Sequence, residues 1–392
     1  MSAKLFFKQR VLTPGPVDVP PTVLLEMAQP IIHHRTKQFQ AIFQQVSQKL
    51  QWLFGTKGPV LSIAGSGTTA FEAAQISLAV PGSKVITVAG GKFGERWQDI
   101  YDSYAKTLNL TNVKINVPWG EAVTAAQIEE ALKANPGTSV VALVHSETST
   151  ATACQIGEIA PVVRQNGAIL VVDGITAVGA LPVKMDEWDV DCIVTGSQKA
   201  LMLPPGLGYV ALGPRAVKRL SETKASGYYN LDLRRWLKSY EKNDVPFTPP
   251  VSLIRGQLVA LTMIEAEGLQ TVWDRTARLA AASRAAFRAM GLKLASMSPS
   301  DSVSGAYYPQ GIDDKKFRAA VRDKHGIHIA GGQSGRGAAW EGKIFRISHM
   351  GYVDAGDTMA TLCAIEAELI AAGHQVAPGT ALAAAAKVLL GE

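Results

Sequence analysis

Short apolar segments alternate with longer amphipathic segments between residues 60 and 212. The apolar segments are typical of buried strands, and several of the segments between them repeat their apolar positions every three to four residues, as amphipathic helices do. This alternation predicts a mostly parallel, seven-stranded sheet covered by helices, an α/β fold. The predicted strands are 60–64, 84–89, 113–117, 139–144, 168–172, 192–195 and 208–212, and the predicted helices are 69–79, 94–105, 125–134 and 159–166.

The pattern changes on both sides of this region. The proline-rich start is incompatible with a helix and predicts an extended arm, whereas long alanine-rich stretches after Pro250 predict helices and then a smaller α+β lobe. We therefore expect an N-terminal arm (1–20), a large domain (21–268) and a small C-terminal domain (269–392). Further predicted helices are 22–27, 37–54 with its end at Gly55, 252–268, 269–290, and a tail helix 378–390 that docks on a surface.

Composition narrows the possible classes of protein. Of 392 residues, 47% are apolar and 18% charged, which indicates a globular chain with a sizeable core. The net charge of +6 is spread out, so we expect no nucleic-acid partner. No apolar run approaches the roughly 18 residues of a membrane helix, and no signal peptide is recognisable. Three scattered cysteines argue against a disulfide, zinc or iron–sulfur site and favour a cytoplasmic location.

Two polar residues follow predicted buried strands. Lys199 comes after strand 192–195 and a Gly-Ser-Gln turn, and Asp173 follows strand 168–172. Burial lowers the pKa of a lysine and makes its amine a candidate for Schiff-base formation. A strand-end aspartate can pair with the protonated ring nitrogen of pyridoxal phosphate (PLP). The alternatives are a lysine that reaches the surface from a helix start and an aspartate that caps a helix.

A third candidate is the glycine-rich turn at 65–68, between a predicted strand and a predicted helix. Glycines allow backbone N–H groups to approach a phosphate, and a helix N-terminus adds favourable partial charge. The alternative is an ordinary tight turn, and the run lacks the Gly-Lys-Ser/Thr ending of a P-loop.

These motifs resemble those of class V aminotransferases, which are PLP enzymes of fold type I. The segments 172–179 and 196–201 carry the resemblance most specifically, and it extends from 12–16, which ends in a Pro-Gly-Pro run, to 345–348. Within the family, the chain is similar to alanine–glyoxylate and serine–pyruvate or serine–glyoxylate aminotransferases. The resemblance implies a homodimer in which the N-terminal arm crosses onto the partner subunit.

The resemblance also implies a role for individual residues. It places Gly67, Thr68 and Gln198 at the cofactor phosphate, Phe93 on the pyridine ring, Thr148 near the phenolic oxygen, Asp173 at the ring nitrogen, Lys199 as the catalytic residue, Thr248 at the phosphate of the neighbouring subunit, and Arg346 at the substrate carboxylate. From the residues alone, Phe93 is equally a core side chain, and Arg346 equally a member of a structural salt bridge.

Other positions match the family without a firm role. Glu147 is such a match, and the pairs His34–Arg35 and Tyr228–Tyr229 are weaker candidates for the pocket entrance. Val245 stands where relatives often have a tyrosine, which removes one expected hydrogen bond to the phosphate.

The function implied by the resemblance is transfer of an amino group from alanine or serine to glyoxylate or pyruvate. One alternative is a lyase of the cysteine desulfurase type, which needs a mobile nucleophilic cysteine in the small domain. Only Cys363 follows Cys192 in the chain, and Gln198 precedes the lysine where those lyases have a histidine. Another alternative is a non-catalytic partner subunit, because some relatives carry the label of a soluble hydrogenase subunit.

Overall fold

The structure is a computed structural model that describes residues 8–223 and 228–391. Its strands are β1 (Arg10–Val11), β2 (Val60–Gly65), β3 (Lys84–Ala89), β4 (Thr111–Asn116), β5 (Thr138–Val144), β6 (Ser146–Glu147), β7 (Thr152–Ala153), β8 (Ile169–Asp173), β9 (Cys192–Gly196), β10 (Gly206–Leu212), β11 (Val303–Tyr307), β12 (Ile327–His328), β13 (Ala330–Gly331) and β14 (Ile344–Ser348). Its helices are α1 (Pro21–Met27), α2 (Lys37–Phe54), α3 (Gly67–Leu78), α4 (Lys92–Leu108), α5 (Ala125–Ala134), α6 (Ile156–Gln165), α7 (Pro214–Glu222), α8 (Leu233–Tyr240), α9 (Val251–Glu267), α10 (Leu269–Ala289), α11 (Asp314–His325), α12 (Ala355–Ala371) and α13 (Thr380–Leu390).

The central sheet has seven strands in the order β2-β10-β9-β8-β5-β3-β4. Strand β10 runs antiparallel to both of its neighbours, and the other pairs are parallel. Every residue of β5, β8 and β9 is buried, so both faces of the sheet are covered at its centre. The prediction of a mostly parallel, seven-stranded α/β sheet is confirmed.

Most predicted elements are present, and the differences have local causes. Helix α2 ends at Gly55 as predicted, because this glycine adopts the left-handed conformation with φ of 63°. Helix α3 begins at Gly67, two residues before the predicted start, since the glycine-rich turn already forms its first turn. The sequence pattern does not predict α7 and α8, each of which buries only two side chains.

Two hydrophobic cores divide the chain. The larger core contains buried residues between Val23 and Val272, and the smaller contains Leu12 together with residues between Leu279 and Ala385. Helix α10 contributes to both. The change of core occurs within α10, and we propose the start of this helix, between residues 268 and 269, as the division between a large and a small domain.

The N-terminal arm lies along the smaller core. Strand β1 pairs in parallel with β12, and the buried Leu12 donates its amide to the carbonyl of His328 and accepts from the amide of Ser348. Residues 1–7 of the predicted arm lie outside the described residues. Crossing of the arm onto a partner subunit stays a prediction.

The tail helix α13 packs against α10 and α12, as the sequence predicts. Ala381 and Ala385 are buried, and the carboxylate of Glu366 accepts hydrogen bonds from the amides of Gly379 and Ala381 at the start of the helix.

Within the described ranges, no helix combines the length and apolar character needed to cross a bilayer.

The packing of α13 predicts a position-dependent effect of charge. Ala385→Asp should lower the free energy of unfolding by about 2 kcal/mol or more, because it buries a carboxylate without a partner. Ala383→Asp is the matched control, since Ala383 is exposed on the same helix. Urea denaturation would measure both variants, and equal losses of stability would contradict the observed docking.

Candidate active site

A pocket opens where the carboxyl ends of five strands of the sheet meet. In parallel α/β sheets, this edge is the usual place for ligands. The residues that line the pocket follow β2, β3, β5, β8 and β9, and they are Ser66, Gly67, Thr68, Phe93, Arg96, Ser146, Thr148, Asp173, Ile175, Gln198 and Lys199. The structure thus brings together all of the predicted site residues except Thr248 and Arg346.

Lys199 faces the pocket and the N-terminal arm. Its amine donates a hydrogen bond to the carbonyl oxygen of Pro14, and a Cβ added at Gly15 would lie 2.2 Å from the lysine Nζ. Loss of hydration lowers the pKa of Lys199 to about 8, although the nearby Asp173 opposes this change. The sequence does not predict the contact with the arm, because 185 residues separate its partners.

Asp173 is buried at the end of β8, and loss of hydration raises its pKa to about 8. Its Oδ1 accepts a hydrogen bond of 2.8 Å from the amide of Ile175. No α-helix begins directly after Asp173, because the next element is β9, so the structure gives no support to the alternative of a helix cap. A cationic partner in the pocket would stabilise the carboxylate, and a protonated pyridine nitrogen is such a partner.

The first turn of α3 forms a neutral cup. The amides of Gly67 and Thr68 have no protein acceptor in the described chain, and the first turn contains no acidic residue. A Cβ at Gly67 would lie 2.5 Å from Ile175 Cδ1, so a larger residue there would displace the Ile175 side chain that lines the pocket. The buried Gln198 Oε1 also lacks a hydrogen-bond partner in the structure. The amides of Gly67 and Thr68 fit the phosphate of PLP, whose oxygens accept hydrogen bonds, whereas Gln198 Oε1 is itself an acceptor.

Glu147, which sequence reasoning left without a role, caps α4. Its carboxylate accepts hydrogen bonds from the amides of Phe93 and Gly94 at 3.1 and 2.9 Å and from the Ser149 hydroxyl. A Cβ at Gly91 would lie 2.4 Å from Glu147 Cγ, so the close approach requires a glycine. Glu147 therefore fixes the backbone that carries the Phe93 ring into the pocket.

Arg346 lies next to the pocket, behind Thr148. Its guanidinium donates to the Thr148 carbonyl at 2.7 Å, and to the Gly331 carbonyl through two nitrogens at 3.0 and 2.7 Å. No carboxylate in the described chain forms an ion pair with it, so the alternative of a structural salt bridge finds no support among these residues. Burial lowers the pKa of Arg346 to about 10.

Several candidates lie away from the pocket. Thr248 is exposed on the segment that precedes α9, and Tyr229 is exposed beside Phe247. Tyr228 donates to the carbonyl of Ile76. Arg35 forms an ion pair with Asp244 at 2.6 Å and donates to the carbonyl of the buried Val245. None of these residues, nor His34, lines the pocket.

The cysteines are dispersed in the structure as in the sequence. Cys192 is buried in β9, Cys154 is partly buried, and Cys363 is exposed on α12. Burial raises the pKa of Cys154 to about 11, which disfavours its reactive thiolate form. No group of His, Cys, Asp or Glu side chains within 8–223 and 228–391 has the arrangement of a metal site.

The lowered pKa of Lys199 predicts the pH dependence of cofactor capture. Only the neutral amine attacks an aldehyde, so the rate at which the apo-protein captures PLP should rise from pH 7 to pH 9 with a midpoint at about 8. Stopped-flow absorbance would measure this rate, with a short lysine peptide as the control. A rate that continues to rise beyond pH 10, as for an ordinary hydrated lysine, would contradict the dehydrated site.

Comparisons with known proteins agree with the geometry. The family model described as "Aminotransferase class-V" matches residues 26–357. The small subunit of a soluble hydrogenase from Synechococcus sp. is 37% identical over 97% of this chain and 98% of the relative. A serine–glyoxylate aminotransferase from Methylorubrum extorquens is 32% identical over 97% of this chain and 96% of the relative. An L-aspartate–glyoxylate aminotransferase from Paracoccus denitrificans is 34% identical over 96% of this chain and 94% of the relative.

Among solved structures, the pyridoxamine–pyruvate aminotransferase from Mesorhizobium loti has a TM-score of 0.92. It is 30% identical in sequence, and the match covers 99% of this chain and 98% of that chain. The similarity therefore extends over both hydrophobic cores and not only over the central sheet. By family model, relatives and fold, the chain belongs to the class V aminotransferases, which are PLP-dependent enzymes of fold type I.

Proposed function

We propose that this protein transfers the amino group of a small L-amino acid, alanine or serine, to glyoxylate or pyruvate. One observation carries the proposal: Lys199 and Asp173 line the same pocket, and burial shifts the pKa of each to about 8. Relatives named for glyoxylate and pyruvate support the acceptor. The relatives named for serine and for L-aspartate make the donor a question for experiment.

Lys199 is proposed to bind the cofactor through its amine and, after a donor amine has replaced it, to carry a proton to and from the donor Cα. A proton carrier works best with a pKa near the working pH, and the pKa of Lys199 is about 8. When bound, PLP supplies an electron sink for the bond that breaks.

Asp173 is proposed to hold a proton on the ring nitrogen. Because the Ile175 amide fixes its Oδ1, the carboxyl group is oriented before any ligand arrives. Phe93 is proposed to pack against the ring face, with its backbone fixed by Glu147. These contacts would orient the ring relative to Lys199, which reduces the entropic cost of reaction.

Arg346 is proposed to bind the donor carboxylate. An arginine has five N–H donors, and the three hydrogen bonds to Thr148 and Gly331 leave one free on each terminal nitrogen. Two free donors match a carboxylate in a bidentate arrangement. Both current acceptors are neutral carbonyl groups, and the carboxylate of Glu147 acts on the positive charge without a direct hydrogen bond, so the two remaining donors are open to a substrate.

We also propose that the protein is a cytoplasmic homodimer in which Thr248 reaches the phosphate of the partner subunit. Thr248 is exposed and does not line the pocket of its own chain, which is consistent with such a role. Its segment is held by the contacts of Arg35 to Asp244 and Val245.

The rival functions have less support. A desulfurase-type lyase would need Cys363, which lies within the regular helix α12 and not in a loop. A purely structural subunit would not need a lysine and an aspartate with shifted pKa values in one pocket.

Spectral titration of the purified protein with amino donors tests this function. L-alanine or L-serine should convert the visible absorption of the bound cofactor to that of its aminated form, and glyoxylate should reverse the change. Lys199→Ala should lack the visible band of the wild type. Arg346→Gln should retain the band but need about 10–100-fold more donor, since it loses charged hydrogen bonds.

The outcomes separate the alternatives. A preference for L-aspartate would leave transamination intact but overturn the proposed donor class. Failure of all donors to change the band, together with sulfide release from L-cysteine, would replace the transaminase with the lyase.

A further inference from the structure

Arg96 is a cation of the pocket that the assigned roles leave unused. It lies on α4 one turn after Phe93, and its Cζ is 5.0 Å from the centroid of the Phe93 ring. Its Nη1 donates a hydrogen bond of 3.2 Å to the Thr68 hydroxyl, on the neutral cup at the start of α3. Arg96 therefore contacts both Phe93, the proposed stacking residue, and the cup at the start of α3.

The charge of Arg96 is only partly balanced, because Arg96 favours the ionised form of Asp173 in the same pocket without forming an ion pair with it. Among residues 8–223 and 228–391, no Asp or Glu forms an ion pair with it. Other arginines of the same region are paired, for example Arg336, which contacts Asp99. An unpaired guanidinium in a pocket is suited to an anionic ligand, because arginine presents parallel donors that match phosphate and carboxylate oxygens.

The cup lacks the charge that a phosphate group needs. A phosphate monoester carries about −1.5 to −2 charges at neutral pH, and a helix N-terminus offers only about half a positive charge. The side chains of Ser66, Thr68 and Gln198 are neutral. Lys199, the other cation of the pocket lining, directs its amine to the Pro14 carbonyl and not to the cup.

We propose that Arg96 binds the phosphate group of PLP and supplies the positive charge that the cup lacks. The inference rests on the proposed cofactor site at Lys199 and adds a binding residue to it. The guanidinium contacts the Thr68 hydroxyl, next to the amides of Gly67 and Thr68 on which the phosphate would be seated.

The test compares PLP with pyridoxal, which lacks the phosphate. Apo-protein of the wild type, Arg96→Gln and Arg96→Lys would be titrated with both aldehydes by visible absorbance. Arg96→Gln should weaken PLP binding about 10–100-fold and change pyridoxal binding less than about threefold, because only the phosphate contact is lost. The affinity of Arg96→Lys for PLP should lie between those of the wild type and Arg96→Gln, since lysine keeps the positive charge but lacks the parallel N–H donors of the guanidinium.

Lys92→Gln is the matched control. Lys92 is another cation of α4, its side chain is 44% exposed, and its amine lies 3.7 Å from Glu95. This variant removes one positive charge from the same helix and should leave the binding of both aldehydes unchanged. Inorganic phosphate should compete with PLP for the wild type and much less for Arg96→Gln.

The remaining outcomes contradict the inference in different ways. Equal weakening of PLP and pyridoxal would mean that Arg96 only supports Phe93. Unchanged PLP binding with a raised half-saturation for L-aspartate alone would mean that Arg96 binds a donor side chain. If the wild type captured neither aldehyde, the proposed cofactor site would fail, and the inference with it.

Discussion

The site depends on the loss of hydration around the amine of Lys199. Burial shifts its pKa to about 8, and the N-terminal arm contributes to that burial, since Pro14 accepts its hydrogen bond and Gly15 lies against the side chain. A lysine in water would be almost fully protonated at neutral pH and a poor nucleophile. The arm therefore forms one wall of the proposed cofactor site.

The arm is also the element that links the site to the smaller core. Strand β1 pairs with β12, and Leu12 packs in the smaller core, a few residues before Pro14 and Gly15. From the same lobe, β14 carries Arg346 to the Thr148 carbonyl. Lys199 and Arg346 thus come from the parts of the chain that form the larger and the smaller core, so a change in the packing of the two cores would alter the relative positions of the groups proposed to hold the cofactor and the donor.

The sequence predicts the parts of this arrangement that are local. Lys199, Asp173 and the glycine-rich cup follow buried strands, and strand ends of a parallel sheet meet at one edge. It does not predict contacts between distant segments, such as the cap that Glu147 places on α4 or the hydrogen bond from Lys199 to Pro14. Arg96 is not predicted for a different reason. In the sequence it is one charge on an amphipathic helix, and only the structure shows that it lines the pocket and forms no ion pair with a carboxylate of the described residues.

Chemical trapping of the cofactor tests the central claim most directly. Reduction of the PLP-loaded protein with borohydride would fix the cofactor to the amine that holds it, and mass spectrometry of the peptides would locate the modified residue. The account predicts one modified site, Lys199, and no stable modification in Lys199→Ala. Modification of a different lysine in the wild type, or none at all, would contradict it.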